Sequence, residues 1–216
     1  MQPSPKTPLI IAFGYKAQSG KGESAETIRR SRSTFSGHIG IFSFATALRD
    51  EIHGAVLDLI EKTGVTPQLA LQELCSKFGV TYDENAKVDK LNPWGKQRAL
   101  QQYWGTEYRR AQDPQYWVKK LHTSIADSCV DIALIDDMRF PNEYAWADTN
   151  GYTVKVERRD FAGLEGDAAM HSSETSLDGY DFDYYISAGA DGLAELRAQA
   201  LHVFDTVLEL FQTKEK

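Results

Sequence analysis

Apolar and polar positions fall in blocks along this chain, and the blocks switch between strand and helix periods. Pro8-Leu9-Ile10-Ile11-Ala12-Phe13 is an unbroken apolar run of strand length. Glu23 to Arg32 follows as a helix-compatible stretch. Ser36-Gly37-His38 reads as a turn, and Ile39 to Phe44, rich in β-branched and aromatic residues, predicts a second strand. Between Ala45 and Lys62, Leu48, Ile52, Val56, Leu59 and Ile60 recur at helical spacing, and Gly64 closes that helix. Pro67 opens another, with Leu71, Leu74, Cys75 and Phe78 on one face and Gly79 at its end. Tyr82 to Asn92 has no period and predicts a loop. Pro93 to Arg110 predicts a helix, and Asp113-Pro114 starts the next, with Trp117, Leu121 and Ile125 as its stripe. Val130 to Ile135, Tyr152 to Glu157 and Asp183 to Ser187 predict further strands. A closing helix begins at Asp191 or Gly192, with Leu193, Leu196, Ala200, Val203, Val207 and Leu210 as its face toward the sheet and Phe204 and Phe211 beside them. Strands alternating with helices imply an α/β fold on a five-stranded parallel sheet with right-handed crossovers.

The length of 216 residues suits one domain, or one domain with a mobile insert. The net charge of −7 argues against broad nucleic-acid binding. Two cysteines, Cys75 and Cys129, are too few for a disulfide framework or a zinc site and fit a reducing cytoplasm. No apolar run reaches the length of a membrane span, and the start carries no apolar signal region.

The chemistry concentrates between the first strand and the first helix. Gly14-Tyr15-Lys16-Ala17-Gln18-Ser19-Gly20-Lys21-Gly22-Glu23 is a small-residue loop with Gly-Lys leading into a helix, the layout of a phosphate-binding loop. Small residues let backbone N–H groups wrap an anion, the helix start adds further donors, and Lys21 supplies a mobile cation. Against the usual pattern, Tyr15 stands at the first glycine position and Gly22 where a Ser or Thr would hold magnesium. A glycine turn with an exposed lysine accounts for the same residues without a ligand.

Two other stretches carry chemistry. Trp94, Lys96, Arg98, Gln101, Trp104, Glu107, Arg109 and Arg110 mix indoles and guanidiniums in one presumed helix. That mix suits either a cleft wall for base and phosphate or amphipathic packing with snorkelling arginines. The third strand ends in Asp136-Asp137, an arrangement that holds magnesium in phosphoryl-transfer proteins, and Met138-Arg139-Phe140-Pro141-Asn142-Glu143 follows. Asp137 and Arg139 there either face a ligand or pair with each other, and Asn142 is the expected cap of a helix from Glu143 to Asp148. Ser172 or Ser173 is the expected N-cap of a short helix after His171.

These stretches together resemble the deoxynucleoside monophosphate kinases of bacteriophages, within the P-loop kinase superfamily. The carrying residues are Lys16-Ala17-Gln18-Ser19-Gly20-Lys21; Phe42-Ser43-Phe44-Ala45 with Leu48-Arg49; Arg98, Leu100-Gln101 and Trp104 to Arg110; Asp137 to Glu143; and His171-Ser172-Ser173-Glu174. The resemblance implies a three-layer P-loop fold as a single domain, with a helical substrate-binding segment over about 44–128 and a small lid over about 157–175. It implies transfer of the γ-phosphoryl of ATP, with Mg2+, to a deoxynucleoside monophosphate. Lys16 to Glu23, including Gly22, would then bind ATP. Lys21, Asp137, Arg139 and Arg110 would serve the chemistry. Phe44, Arg98, Trp104, Glu107, Arg110, Trp117, Arg139, Asn142, Glu143, His171 and Glu174 would form the acceptor side. Arg158 and Arg159 would be lid arginines, and Asp136 and Asp137, with Ser24 or Glu23 nearby, would serve the metal. A kinase for another small phosphorylated acceptor and a nucleotide-binding module without catalysis remain open, as does a homodimer through the C-terminal helix.

Overall fold

The computed structural model describes residues 7–32, 35–159, 170–189 and 191–214. The chain divides into two compact units, Met1–Ser43 with Leu121–Lys216, and Phe44–Lys120.

The first unit is built on five parallel strands, β1 (Leu9–Gly14), β2 (Ile39–Phe42), β3 (Ile132–Met138), β4 (Tyr152–Arg158) and β5 (Tyr184–Ala188), in the order β2-β3-β1-β4-β5. Parallel strands are covered on both faces, which is why β1 reads as a continuous apolar run. Helix α1 (Lys21–Ser31) lies against β2 and β3, and α6 (Pro141–Asn150) against β1 and β4. The chain leaves β1 toward one edge of the sheet and leaves β3 toward the other, so right-handed crossovers send α1 and α6 to opposite faces. The crevice between the C-terminal ends of β1 and β3 is therefore the switch point, where open α/β sheets bind ligands.

Ile11, Phe13, Leu134, Val154 and Ile186 from the strands pack with Ala25 and Ile28 of α1. The closing helix, Leu193–Lys214, adds Leu196, Ala200, Val203, Phe204 and Val207. Its face is narrower than the periodicity predicts. Leu193 and Leu210 are 49% and 42% exposed, whereas Phe204, expected at the flank, is fully buried.

The second unit is helical. It holds α2 (Phe44–Thr63), α3 (Pro67–Lys77), α4 (Arg98–Gln102), a π-helical segment over Tyr103–Arg110 and the start of α5 (Tyr116–Asp127). Thr66 caps α3 by accepting the Leu69 N–H, with Pro67 in the first turn. The helix expected from Pro93 starts only at Arg98, because the Gln97 amide is tied to both backbone groups of Asp83. Beyond it the turn widens, gathering Tyr103, Trp104 and Tyr108 around Phe78.

Other boundaries move for local reasons. β2 stops at Phe42, and Phe44, 4% exposed, begins α2 instead. α1 begins at Lys21 rather than Glu23. Asn142 does not cap α6. Pro141 occupies the first turn, Phe140 is the cap position, and the buried Glu143 carboxylate accepts the N–H groups of Arg139 and Phe140. Likewise His171, not Ser172 or Ser173, caps the short α7 (Ser172–Thr175), its Nδ1 accepting the Ser173 N–H.

Candidate phosphate-binding site

The loop between β1 and α1 turns back on itself through left-handed backbone at Tyr15 (φ 101°), Gln18 (φ 58°) and Gly20 (φ 108°). Alternating right- and left-handed residues point successive N–H groups to one side, which is how backbone makes an anion-binding concavity. Tyr15 takes the positive φ that a first glycine would supply, although it is no glycine. Its ring is flanked by the ammonium groups of Lys155, 4.2 Å from the centroid, and Lys16, 5.0 Å away.

Lys21 lies inside the loop, 5% exposed. Its ammonium donates to the Tyr15 carbonyl at 3.0 Å, to the Lys16 carbonyl and to Ser19 Oγ at 3.3 Å. Burial, reinforced by the charge of Arg139, lowers its pKa to about 7, against the opposing pull of Glu174, Asp137 and Asp136. These five groups therefore share one electrostatic environment within the first unit.

The neighbouring end of β3 explains how the acids come there. Ala12 pairs with Ile135 and Gly14 with Met138, so β3 carries one more residue than β1 over that interval. The resulting irregularity spans Asp136 and Asp137. Asp137 accepts the Ser43 hydroxyl at 2.5 Å. A Cβ placed on Gly22 would lie 3.7 Å from Asp136 Oδ2, so that carboxylate faces the start of α1. Among the described residues no group of three or more His, Cys, Asp and Glu side chains gathers to hold a metal. Two carboxylates suit Mg2+, which keeps most of its waters and takes other ligands from phosphate.

Arg139 is ion-paired with Glu174, whose other oxygen accepts the Ala17 N–H at 2.7 Å. Arg139 thus has a partner on α7 that the sequence did not signal. Asn142 is half-buried in the first turn of α6, and Glu143 is committed to capping it. Arg158 is exposed at the end of β4, and Arg159 is held by the Ser187 carbonyl and by Glu195. Residues 160–169 of the expected lid lie outside the described residues.

In the helical unit, Arg98 and Glu107 are exposed, and Arg110 is half-buried. Trp104 and Trp117 are 7% and 2% exposed and serve the core. The Trp117 indole donates to the Gly105 carbonyl at 3.0 Å. Trp104 stacks edge-on with Phe78 and Tyr108 and donates to Glu51 at 3.0 Å. Glu51 also accepts from Arg109 at 2.7 Å and from Tyr116, so one carboxylate gathers three helices, a role that no motif signalled. Burial opposes its ionisation, but hydrogen bonds from Tyr116, Trp104 and Arg109 outweigh that and hold its pKa below the ordinary value. A narrow pocket of the same unit is lined by Arg49, His53, Asn92, Trp94, Gln97 and Gln101 together with the apolar Ile52, Leu71 and Leu100.

Among the described residues no helix is long and apolar enough to cross a membrane. No family model matches the chain, and no curated protein matches it.

Proposed function

We propose that this chain transfers the γ-phosphoryl group of ATP to a deoxynucleoside monophosphate. The observation that carries the reading is the buried Lys21 ammonium, enclosed by its own left-handed loop at the sheet's switch point and sharing its field with Arg139, Asp136 and Asp137. In this reading the loop N–H groups bind the triphosphate, and Lys21 exchanges its carbonyl partners for phosphate oxygens. Arg139 holds the acceptor phosphate. Asp136 and Asp137 would hold Mg2+, which would supply charge neutralisation. The acceptor phosphate is already anionic, so positioning and neutralisation suffice, with no covalent enzyme intermediate. Arg98, Glu107 and Arg110 remain the proposed acceptor-side groups of the helical unit. Trp104 and Trp117 act there through packing. The choice of a deoxynucleotide rests on the family resemblance alone.

The test is an ADP-release assay with ATP and Mg2+ against the common deoxynucleoside and ribonucleoside monophosphates. Transfer to one or more deoxynucleotides is expected. Tight ATP binding with no ADP released for any acceptor would replace the kinase by a nucleotide-binding module.

A further inference from the structure

Glu174 links two parts of the site that are far apart in sequence. Its Oε2 accepts the Ala17 N–H of the loop at 2.7 Å, and its Oε1 is ion-paired with Nη1 of Arg139. The residue is 8% exposed. It is aimed by α7, whose N-cap His171 accepts the Ser173 N–H and lies 2.9 Å from the Ser173 hydroxyl.

On charge alone this placement is unfavourable. A buried carboxylate next to an anion site repels the anion, and the low local dielectric strengthens that repulsion. Orientation offsets it. A guanidinium presents five N–H donors in a rigid fork, and fixing one of them fixes the direction of the rest. The same carboxylate also fixes one N–H of the loop. The loop and the fork are thus referred to a single point.

We propose that Glu174 is a positioning residue of the phosphate site, clamping Ala17 and Arg139 so that a donor phosphate in the loop and an acceptor phosphate on the Arg139 fork are held face to face, a pair of groups that one pyrophosphate spans. This rests on the phosphate-binding reading of the loop. It assigns to Glu174 a role in aiming protein groups instead of contact with an acceptor base.

The sign of one substitution separates aim from charge. Glu174→Gln keeps a carbonyl oxygen for the Ala17 N–H but removes the ion pair with Arg139. If Glu174 only repelled anions, this variant would bind them more tightly. The positioning role predicts the reverse. Calorimetric titration of the full chain with inorganic pyrophosphate should show binding weakened about tenfold, the scale of one charge-assisted bond. In an Arg139→Ala background the same change should have less than about a twofold effect, because the group it acts through is gone. Unchanged or tighter binding in Glu174→Gln overturns the proposal, and so does an equal loss in both backgrounds. Should Glu174→Gln fail to fold by its melting profile, Glu174→Asp decides. It keeps the charge but shortens the arm, so weaker binding supports the clamp and wild-type binding overturns it. ADP release is followed in parallel. Wild-type chain that binds pyrophosphate but transfers nothing refutes the kinase reading while leaving the clamp to the variants. Wild-type chain that does not bind pyrophosphate refutes both.

Discussion

Lys21 is expected to destabilise the fold that encloses it. Its ammonium is 5% exposed, and burial first, then Arg139, brings its pKa from 10.5 to about 7. At ~1.4 kcal/mol per tenfold, that displacement makes the charged form cost the native state ~5 kcal/mol. Its bonds to Tyr15 O, Lys16 O and Ser19 Oγ return about 1 kcal/mol each. Lys21→Met keeps most of the stem and removes both, for a net gain of ~2 kcal/mol at pH 7 or below. For a chain of this size that raises the melting midpoint by roughly 4–8 °C. The sign with pH follows from the lowered pKa. Below about pH 7 the amine is charged in both states and the full cost is present. Between about 7 and 10.5 the unfolded chain holds a proton that the native chain does not, so wild-type stability rises with pH through that window. The advantage of Lys21→Met therefore shrinks above pH 7 and reverses near pH ~8.5, where the remaining penalty equals the lost hydrogen bonds. Thermal unfolding of both proteins at pH 6.5, 7.5 and 9.5 reads this directly, with loss of ATP binding as the companion result. A difference between the two proteins that does not change with pH would refute the reasoning, as would a variant less stable at pH 6.5.

Substitutions at three other positions test separate parts of the structure. Glu51→Gln should destabilise the chain by about 1–3 kcal/mol, because Trp104, Arg109 and Tyr116 share that carboxylate. Since its pKa is lowered in the fold, the wild-type advantage should be present above the ordinary carboxyl range and fade as pH falls through it, which melting profiles at pH 7 and pH 3.5 would show. Tyr15→Gly should retain ATP binding, whereas Tyr15→Val should lose about tenfold, because a β-branched residue at φ 101° stores roughly 1–3 kcal/mol of strain; equal affinities would show that the loop does not depend on that angle. Gly22→Ser should fold normally, since its Cβ meets Asp136 Oδ2 only at 3.7 Å, and should lower the Mg2+ concentration giving half-maximal ADP release; an unchanged Mg2+ requirement would place the metal away from the start of α1.

The parts of the site that sequence made legible are those set by local order. An apolar strand running into small residues and Gly-Lys locates the loop, and an apolar strand ending in two acids locates the carboxylates, because parallel sheets deliver such ends to one rim. The α6 start was also readable, but through a different signal from the Asn142 side chain. Pro141 at the first helical position and Glu143 two residues later mark Phe140 as the cap, and a carboxylate reaching back to two N–H groups outweighs a better capping side chain two positions too late. What sequence did not disclose depends on distant partners. Glu51 sits in an ordinary helical stripe and acquires its role only when Trp104, Arg109 and Tyr116 fold onto it. The choice between a cleft wall and a packed helix over 93–110 was likewise undecidable locally. The structure divides it by residue, burying Trp104 while leaving Arg98 and Glu107 exposed.

The two departures from the usual loop pattern have physical counterparts. A first glycine does two jobs, allowing a close approach and supplying a left-handed turn. Here the jobs fall on adjacent residues. A Cβ on Gly14 would come within 2.6 Å of the Met138 side chain and 2.9 Å of the Phe182 ring, so Gly14 provides the approach. Tyr15 provides the turn, its ring flanked by two lysine ammonium groups. Gly22 lacks the hydroxyl that would hold a metal, but it leaves the start of α1 facing the Asp136 carboxylate. A hydroxyl and a carboxylate are both oxygen ligands for Mg2+, so in the proposed reading a metal contact on β3 would keep the chemistry while changing the residue that performs it. In that reading the departures relocate functions within the crevice between β1 and β3, and their cost falls on the left-handed backbone at Tyr15, which the Tyr15 substitutions test.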